Sequence, residues 1–118
     1  MGLARALCQN PRVKEVLLQV QREMFTVGAE LATDTADYAS LRAKFSVVNA
    51  EMVTRLEKTI DEIDTLIELP REFIVPGGSP GSGALDLARS LLRTGERRTV
   101  ALHEERKLPN AQVLRYLN

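Results

Sequence analysis

Apolar residues recur at steps of three and four along most of this chain. Val13, Val16, Leu17, Val20, Met24, Val27 and Leu31 form one such stripe. It predicts an amphipathic helix of about six turns. Asn10 is placed to cap it and Pro11 to occupy its first position. Val53, Leu56, Ile60, Ile63 and Ile67 form a second stripe, in heptad steps. It predicts a helix over roughly 47–68 that ends at Leu69-Pro70, because proline disfavours helix at the residue before it. Leu85, Leu92, Val100 and Leu102 give burial to a helix over about 82–106, with Ala84, Ala88 and Gly95 small enough for close helix approach. Val113, Leu114 and Leu117 predict a last helix after Pro109-Asn110. Residues 2–8 read as the end of a helix stopped by Gln9-Asn10-Pro11. Residues 33–44 read as a loop with Asp34, Asp37 and Ser40 as turn formers. Residues 73–75 form a short apolar, strand-like run. The expectation is an all-α, antiparallel bundle of four to five helices in one domain, 1–118.

Composition narrows what such a bundle does. Hydrophobic content of 44% can build a core, and aromatic content of only 4% fits Leu, Val, Ile and Ala packing. Sixteen basic residues balance sixteen acidic ones, so a nucleic-acid partner is not expected. No apolar run reaches the about 18 residues that would cross a bilayer, so no membrane partner is expected either. Cys8 is the only cysteine and His103 the only histidine. They cannot form a disulfide or a His/Cys zinc site within the chain, and a reducing, cytoplasmic setting is expected. Cys8 reads as a small packing residue and His103 as a surface residue near a helix end. Asp61 and Asp64 read as a solvated face.

Two features carry candidate chemistry. Asp86, Arg89, Arg93 and Glu96 are three, four and three residues apart and share one helix face, with Arg97 at its edge. Arginine suits bidentate contacts to phosphate or carboxylate, and Glu96 could orient Arg93. The same spacing also describes a solvated face of intrahelical ion pairs. Ahead of it lies Gly77-Gly78-Ser79-Pro80-Gly81-Ser82-Gly83. Glycines opening a helix can present N–H groups to an anion. A plain turn with a Ser or Gly cap is the reading that the spacing alone favours. No Lys-Ser/Thr pair follows, so this is no Walker A loop, and no βαβ pattern makes it a dinucleotide fingerprint. No nucleophile–base arrangement suggests hydrolysis.

At these residues the chain resembles the PduO-type ATP:cob(I)alamin adenosyltransferases. The family pattern Phe-Ile-Leu-Pro-Gly-Gly-Ser/Thr is matched by Phe73-Ile74-Val75-Pro76-Gly77-Gly78-Ser79. Ala-Leu-His-x-Ala-Arg is matched by Ala84-Leu85-Asp86-Leu87-Ala88-Arg89, and Arg-Arg-Ala-Glu-Arg-Arg by Arg93-Thr94-Gly95-Glu96-Arg97-Arg98. The helix from Val20 to Thr33, Leu56-Glu57 with Ile60-Asp61, and the segment from Asn110 to Asn118 extend the resemblance over nearly the whole chain.

The resemblance implies a five-helix bundle that forms a homotrimer with sites between subunits. It implies transfer of the 5′-deoxyadenosyl group of ATP, with Mg²⁺, to the cobalt of reduced cobalamin. Arg93 matches a contact to the polyphosphate, and Glu96 and Arg97 its neighbours in the nucleotide site. Arg89 matches an arginine that pairs with an aspartate of another subunit. Phe73 matches an aromatic covering the lower corrin face, against the alternative of a core anchor beneath the turn. Asn118 matches an asparagine near the polyphosphate and metal. Thr94 and Asp86 depart from the usual Arg and His. The family's N-terminal phosphate loop and the end of its C-terminal helix have no counterpart, so the chain reads as the middle of such an enzyme. The alternatives are a non-catalytic corrinoid- or nucleotide-binding bundle and a plain trimerising scaffold.

Overall fold

The computed structural model describes residues 1–68 and 70–118. Its helices are α1 (Gly2–Leu7), α2 (Pro11–Leu31), α3 (Tyr38–Lys44), α4 (Ala50–Asp64), α5 (Pro80–Glu104) and α6 (Ala111–Leu117), and no strand occurs among the described residues. The all-α expectation holds. Four starts are fixed by side-chain caps, which satisfy N–H groups that have no partner inside the helix. Asn10 accepts from Arg12 and Val13, Asn49 from Met52, and Asn110 from Gln112. Ser79 and Ser82 form a reciprocal capping box with Pro80 at the first helical position.

Several boundaries differ from the sequence reading. Residues 35–44 are not a loop: a 3₁₀ turn (Thr35–Asp37) leads into α3. Asp34 starts that turn by accepting from the Ala36 N–H, and Tyr38 anchors it to α2. The third predicted helix is shorter at both ends, because Asn49 caps it at the start. At its far end the Thr65 hydroxyl bonds the Glu62 carbonyl and the Leu66 N–H closes a tighter turn onto Ile63. The expected stop at Leu69-Pro70 falls on Leu69, outside the described residues. Ile74 and Val75 are exposed and unpaired rather than in a strand. α5 ends at Glu104, where Arg106 takes a left-handed conformation (φ 57°). The Lys107 N–H then bonds the Leu102 carbonyl, and the Arg106 N–H bonds His103, which is a Schellman ending.

The core joins Val27 of α2 with Val48 just before α4, Met52 and Val53 in its first turn, and Val113, Tyr116 and Leu117 of α6. Leu92 of α5 packs onto its edge. α1 lies across the first turns of α5, where a Cβ added at Gly81 would lie 3.7 Å from the Cys8 backbone.

Two buried acids on α2 set how the helices meet. Glu30 accepts from the Val48 N–H at 2.5 Å, the Tyr38 hydroxyl at 2.9 Å and the Asn110 amide at 2.8 Å. Asn110 also donates to the Val48 carbonyl at 2.8 Å. One carboxylate therefore ties α2 to α3, to the strap before α4 and to the start of α6. Two turns earlier, Glu23 accepts from the Tyr116 hydroxyl at 2.5 Å, from Gln19 at 2.7 Å and from Arg55 of α4. The pairs Glu30–Asn110 and Glu23–Tyr116 make α2 and α6 antiparallel. Glu23–Arg55 and Arg12–Glu62 do the same for α2 and α4.

Burial pushes the Glu23 carboxyl up, but hydrogen bonds from Tyr116, Gln19 and Arg55 outweigh it and leave it below its ordinary value. Burial and the bond to Glu23 push the Tyr116 phenol up. The second half of α4 is less buried than its heptad implies: Val53 is buried and Leu56 partly so, while Ile60, Ile63 and Ile67 are exposed.

Glu30→Ala should cost about 3 kcal/mol or more, because three donors at the core edge lose their acceptor at once. Urea unfolding followed by circular dichroism measures it. Glu23 has a lowered folded value, so its contribution is present above the unfolded value of about 4.5 and lost as pH falls through the folded one. The loss of stability between about pH 5 and about pH 3 should therefore be smaller in Glu23→Gln than in the parent.

Candidate functional site

The polar stripe of α5 resolves into two ion pairs, two helical turns apart. Near the helix start, Arg89 donates from Nε at 3.1 Å and from Nη2 at 2.8 Å to the same oxygen, Asp86 Oδ1. Further along, Arg93 Nη1 donates to Glu96 Oε2. The second pair is asymmetric: the Glu96 side chain is 10% exposed and that of Arg93 58%. A buried carboxylate thus holds an exposed guanidinium from below, and the outer N–H groups of Arg93 face away from the bond. Such a fork, fixed at one edge and free at the other, suits a multiply charged oxyanion.

Arg97 is exposed beside this pair and forms no ion pair among the described residues. Thr94 turns its hydroxyl onto the Ser90 carbonyl at 3.3 Å, an ordinary helix-surface bond. It adds no cation where a second arginine was expected.

The glycine-rich stretch divides into two parts. Pro80 to Gly83 belong to α5, and the loop proper is Ile74–Ser79. Gly77 takes a φ of 97°, which glycine adopts without strain. This brings Gly77 against Gly83, where an added Cβ would lie 3.7 Å from the Gly77 Cα. The folded-back loop and the first turns of α5 line an open surface pocket of about 640 Å³, with Asp86 and Arg89 on its α5 side. Phe73 stands at the mouth of the loop with its side chain fully exposed. It is not packed beneath the turn.

The end of α6 approaches α5 from the other side. Leu117 shares an apolar groove with Ala88, Leu92 and Gly95. Close helix approach is not seen at Gly95, which is exposed and has nothing within 4 Å of where a Cβ would sit. Asn118 follows at this level of α5 and is exposed, and its side chain makes no hydrogen bond to Arg93, Glu96 or Arg97. Arg93 and Glu96 are thus in contact and Arg89 is paired with Asp86, while Phe73, Arg97 and Asn118 are exposed and are not brought into contact with them. His103 is exposed in the last turn of α5 and far along the helix from this set. No group of three or more His, Cys, Asp or Glu is arranged to hold a metal ion among the described residues. No described helix is long and apolar enough to cross a membrane.

Sequence reasoning missed the buried acids. Their signal was present: Glu23 and Glu30 fall on the three-four steps of the α2 stripe, between Val20 and Val27 and just after Val27. An acid within an apolar stripe is buried only with partners. Here Gln19 and Tyr38 are near in sequence, while Val48, Arg55, Asn110 and Tyr116 lie on other elements further along the chain.

Comparison with known proteins follows the same segments. The sequence profile described as cobalamin adenosyltransferase matches residues 1–118. The corrinoid adenosyltransferase of Bacillus subtilis (strain 168) is 38% identical over 124 residues, covering 100% of this chain and 60% of the relative. The corrinoid adenosyltransferase PduO of Citrobacter freundii is 31% identical over 122 residues, 100% of this chain and 35% of the relative. The corrinoid adenosyltransferase of Mycobacterium leprae (strain TN) is 35% identical over 105 residues, 82% of this chain and 52% of the relative. The chain spans between about a third and three-fifths of the length of these relatives. With a profile match from the first residue to the last, across α2, the 73–79 loop, the α5 stripe and α6, the chain belongs to the cobalamin adenosyltransferase family.

Proposed function

We propose that this chain carries the α5 and loop portion of a site that moves the 5′-deoxyadenosyl group of ATP to the cobalt of a reduced corrinoid. The observation that carries the reading is the Arg93–Glu96 pair, a guanidinium held from below by a buried carboxylate and open on its outer edge, in a chain of this family. Cobalt(I) supplies the electron pair that forms the Co–C5′ bond. The C5′–O bond breaks, and triphosphate leaves with its electrons. Charge grows on the triphosphate in the transition state, so donors fixed in advance on that group lower the barrier.

Arg93 and Arg97 are the proposed triphosphate contacts, with Glu96 holding Arg93 in place and Asn118 at the polyphosphate end of α6. Mg²⁺ binds mainly through phosphate oxygens and water, with few protein ligands, so it would arrive with the nucleotide. Its part is to share the leaving-group charge. The exposed ring of Phe73 is proposed to lie over the lower corrin face and keep an axial ligand off cobalt, which eases reduction.

The homotrimer belongs to the same proposal. Ile60 and Ile63 of α4, Leu66 just after it, Ile74 and Val75 of the loop, and Leu87 and Leu91 on the side of α5 away from the polar stripe are exposed apolar residues. Neighbouring copies would cover such surface. A cytoplasmic setting fits a reaction on reduced cobalt. One observation favours the alternative of binding without transfer: Arg89 is engaged by Asp86 on its own helix rather than left free for another subunit.

Arg93→Ala should weaken ATP binding by about 1.5–3 kcal/mol, roughly ten- to a hundredfold, as expected for a charge-assisted bond. The same change strands the buried Glu96, so it is compared with Arg93→Lys, which keeps the charge but loses the fork. Titration calorimetry at a temperature where all forms are folded should rank parent, Lys and Ala in that order. Equal ATP affinity in the three would reject the assignment.

A further inference from the structure

We propose that Tyr116 is a positioning residue for the nucleotide site: its hydroxyl, bonded to Glu23 of α2, holds the end of α6 where Asn118 meets the polyphosphate. The proposal rests on the reading above and adds to it a residue that touches no ligand and acts through Asn118.

α6 runs for only two turns, Ala111–Leu117, and a helix that short does not keep its own end in place. Its start is tied firmly, since Asn110 bonds both Glu30 and Val48. Along the helix itself, Tyr116 makes the one side-chain hydrogen bond to another helix among the described residues, from Oη to Glu23 Oε2 at 2.5 Å. Both residues are buried. Burial and the bond to Glu23 push the phenol up, so it keeps its proton and remains the donor.

The two oxygens of Glu23 have separate partners. Gln19 and Arg55 both donate to Oε1, and Oε2 takes Tyr116 alone. Removing the phenolic O–H therefore leaves the Glu23 charge paired with Arg55. The end of α6 is released without stranding an ion, and the ring of Tyr116 can stay in the core with Val113.

The held end lies beside the site. Leu117 is buried and shares its groove with Ala88, Leu92 and Gly95 of α5. Gly95 falls between Arg93 and Glu96 in the chain, so α6 ends at the level of that pair. Asn118 comes next. Its backbone N–H bonds the Leu114 carbonyl at 3.1 Å, while its side chain is exposed and bonds nothing among the described residues. The position of this amide is thus set by the last turn of α6. The apolar contacts of Leu117 have no fixed direction, whereas a bond to one carboxylate oxygen sets both a distance and an angle. A misplacement of about 1 Å is enough to lose a contact that must be in place in advance.

The test is a double-mutant cycle read by ATP titration calorimetry, at a temperature where circular dichroism shows all four proteins folded. Asn118→Ala should weaken ATP binding about fivefold or more, the loss of a hydrogen bond to a charged group. Tyr116→Phe should weaken it by a similar factor, although the residue touches no nucleotide. In the Asn118→Ala background, Tyr116→Phe should cost less than about a further twofold, because the contact it positions is already gone. A residue that only supports the fold gives another result: parent affinity in Tyr116→Phe, or losses that multiply in the double variant. Either overturns the proposal. Parent affinity in Asn118→Ala overturns it too and leaves the Arg93 assignment standing. A parent that binds no ATP overturns both. Should Tyr116→Phe fail to fold, Glu23→Gln takes its place in the cycle, because it removes the charge to which the phenol donates.

Discussion

The carboxylate of Glu30 governs the arrangement of this bundle. A short helical chain with few aromatics has limited means of choosing among similar packings of Leu, Val and Ile surfaces. Three hydrogen bonds from Val48, Tyr38 and Asn110 converge on this one side chain. They require α3, the strap before α4 and the start of α6 to meet α2 at one level. Any slide of α6 along α2 would strand both Glu30 and Asn110. Glu23 repeats the device two turns away with Tyr116 and Arg55. Buried polar groups of this kind are worth most as register marks, since a misplaced packing leaves them unsatisfied.

That anchoring leaves α5 free for other work. The core is concentrated where α2, α4 and α6 meet. α5 contributes Leu92 to its edge and turns the Asp86–Glu96 face away from it. Glu96 is the exception, buried so that it can hold Arg93. The loop from 73 to 79 adds exposed Phe73, Ile74 and Val75 beside that face. A rigid three-helix seam thus supports a polar helix face and an apolar loop, two surfaces suited to a charged nucleotide and a broad apolar ring.

Local signals were legible in the sequence because they depend on near neighbours. Asn10 with Pro11 and Asn110 after Pro109 marked two helix starts, and the α2 and α6 stripes marked their buried faces. The α5 stripe was visible as spacing, and the Pro-Gly-Gly block tied it to a family. What escaped depends on distant partners. α3 is short and has no apolar repeat, and it is fastened to α2 through Tyr38 and Glu30. The heptad of α4 predicted a longer buried helix, but no described helix covers Ile60 or Ile63. Asp86 and Arg89 could be read from their spacing as an intrahelical pair, but their place on the pocket under the loop depends on how residues 74–78 fold back.

The central claim is that a seam pinned by buried acids presents the α5 face and the 73–79 loop to ligands. Amide hydrogen exchange, with and without ATP and hydroxocobalamin together, tests it most directly. The account predicts slow exchange in α2 and α6 that ligands leave unchanged, and new protection confined to residues 73–79 and the exposed face of α5 from 86 to 97. Protection that appears instead along the groove between α2 and α4, or ligand-dependent changes throughout α2 and α6, would contradict it.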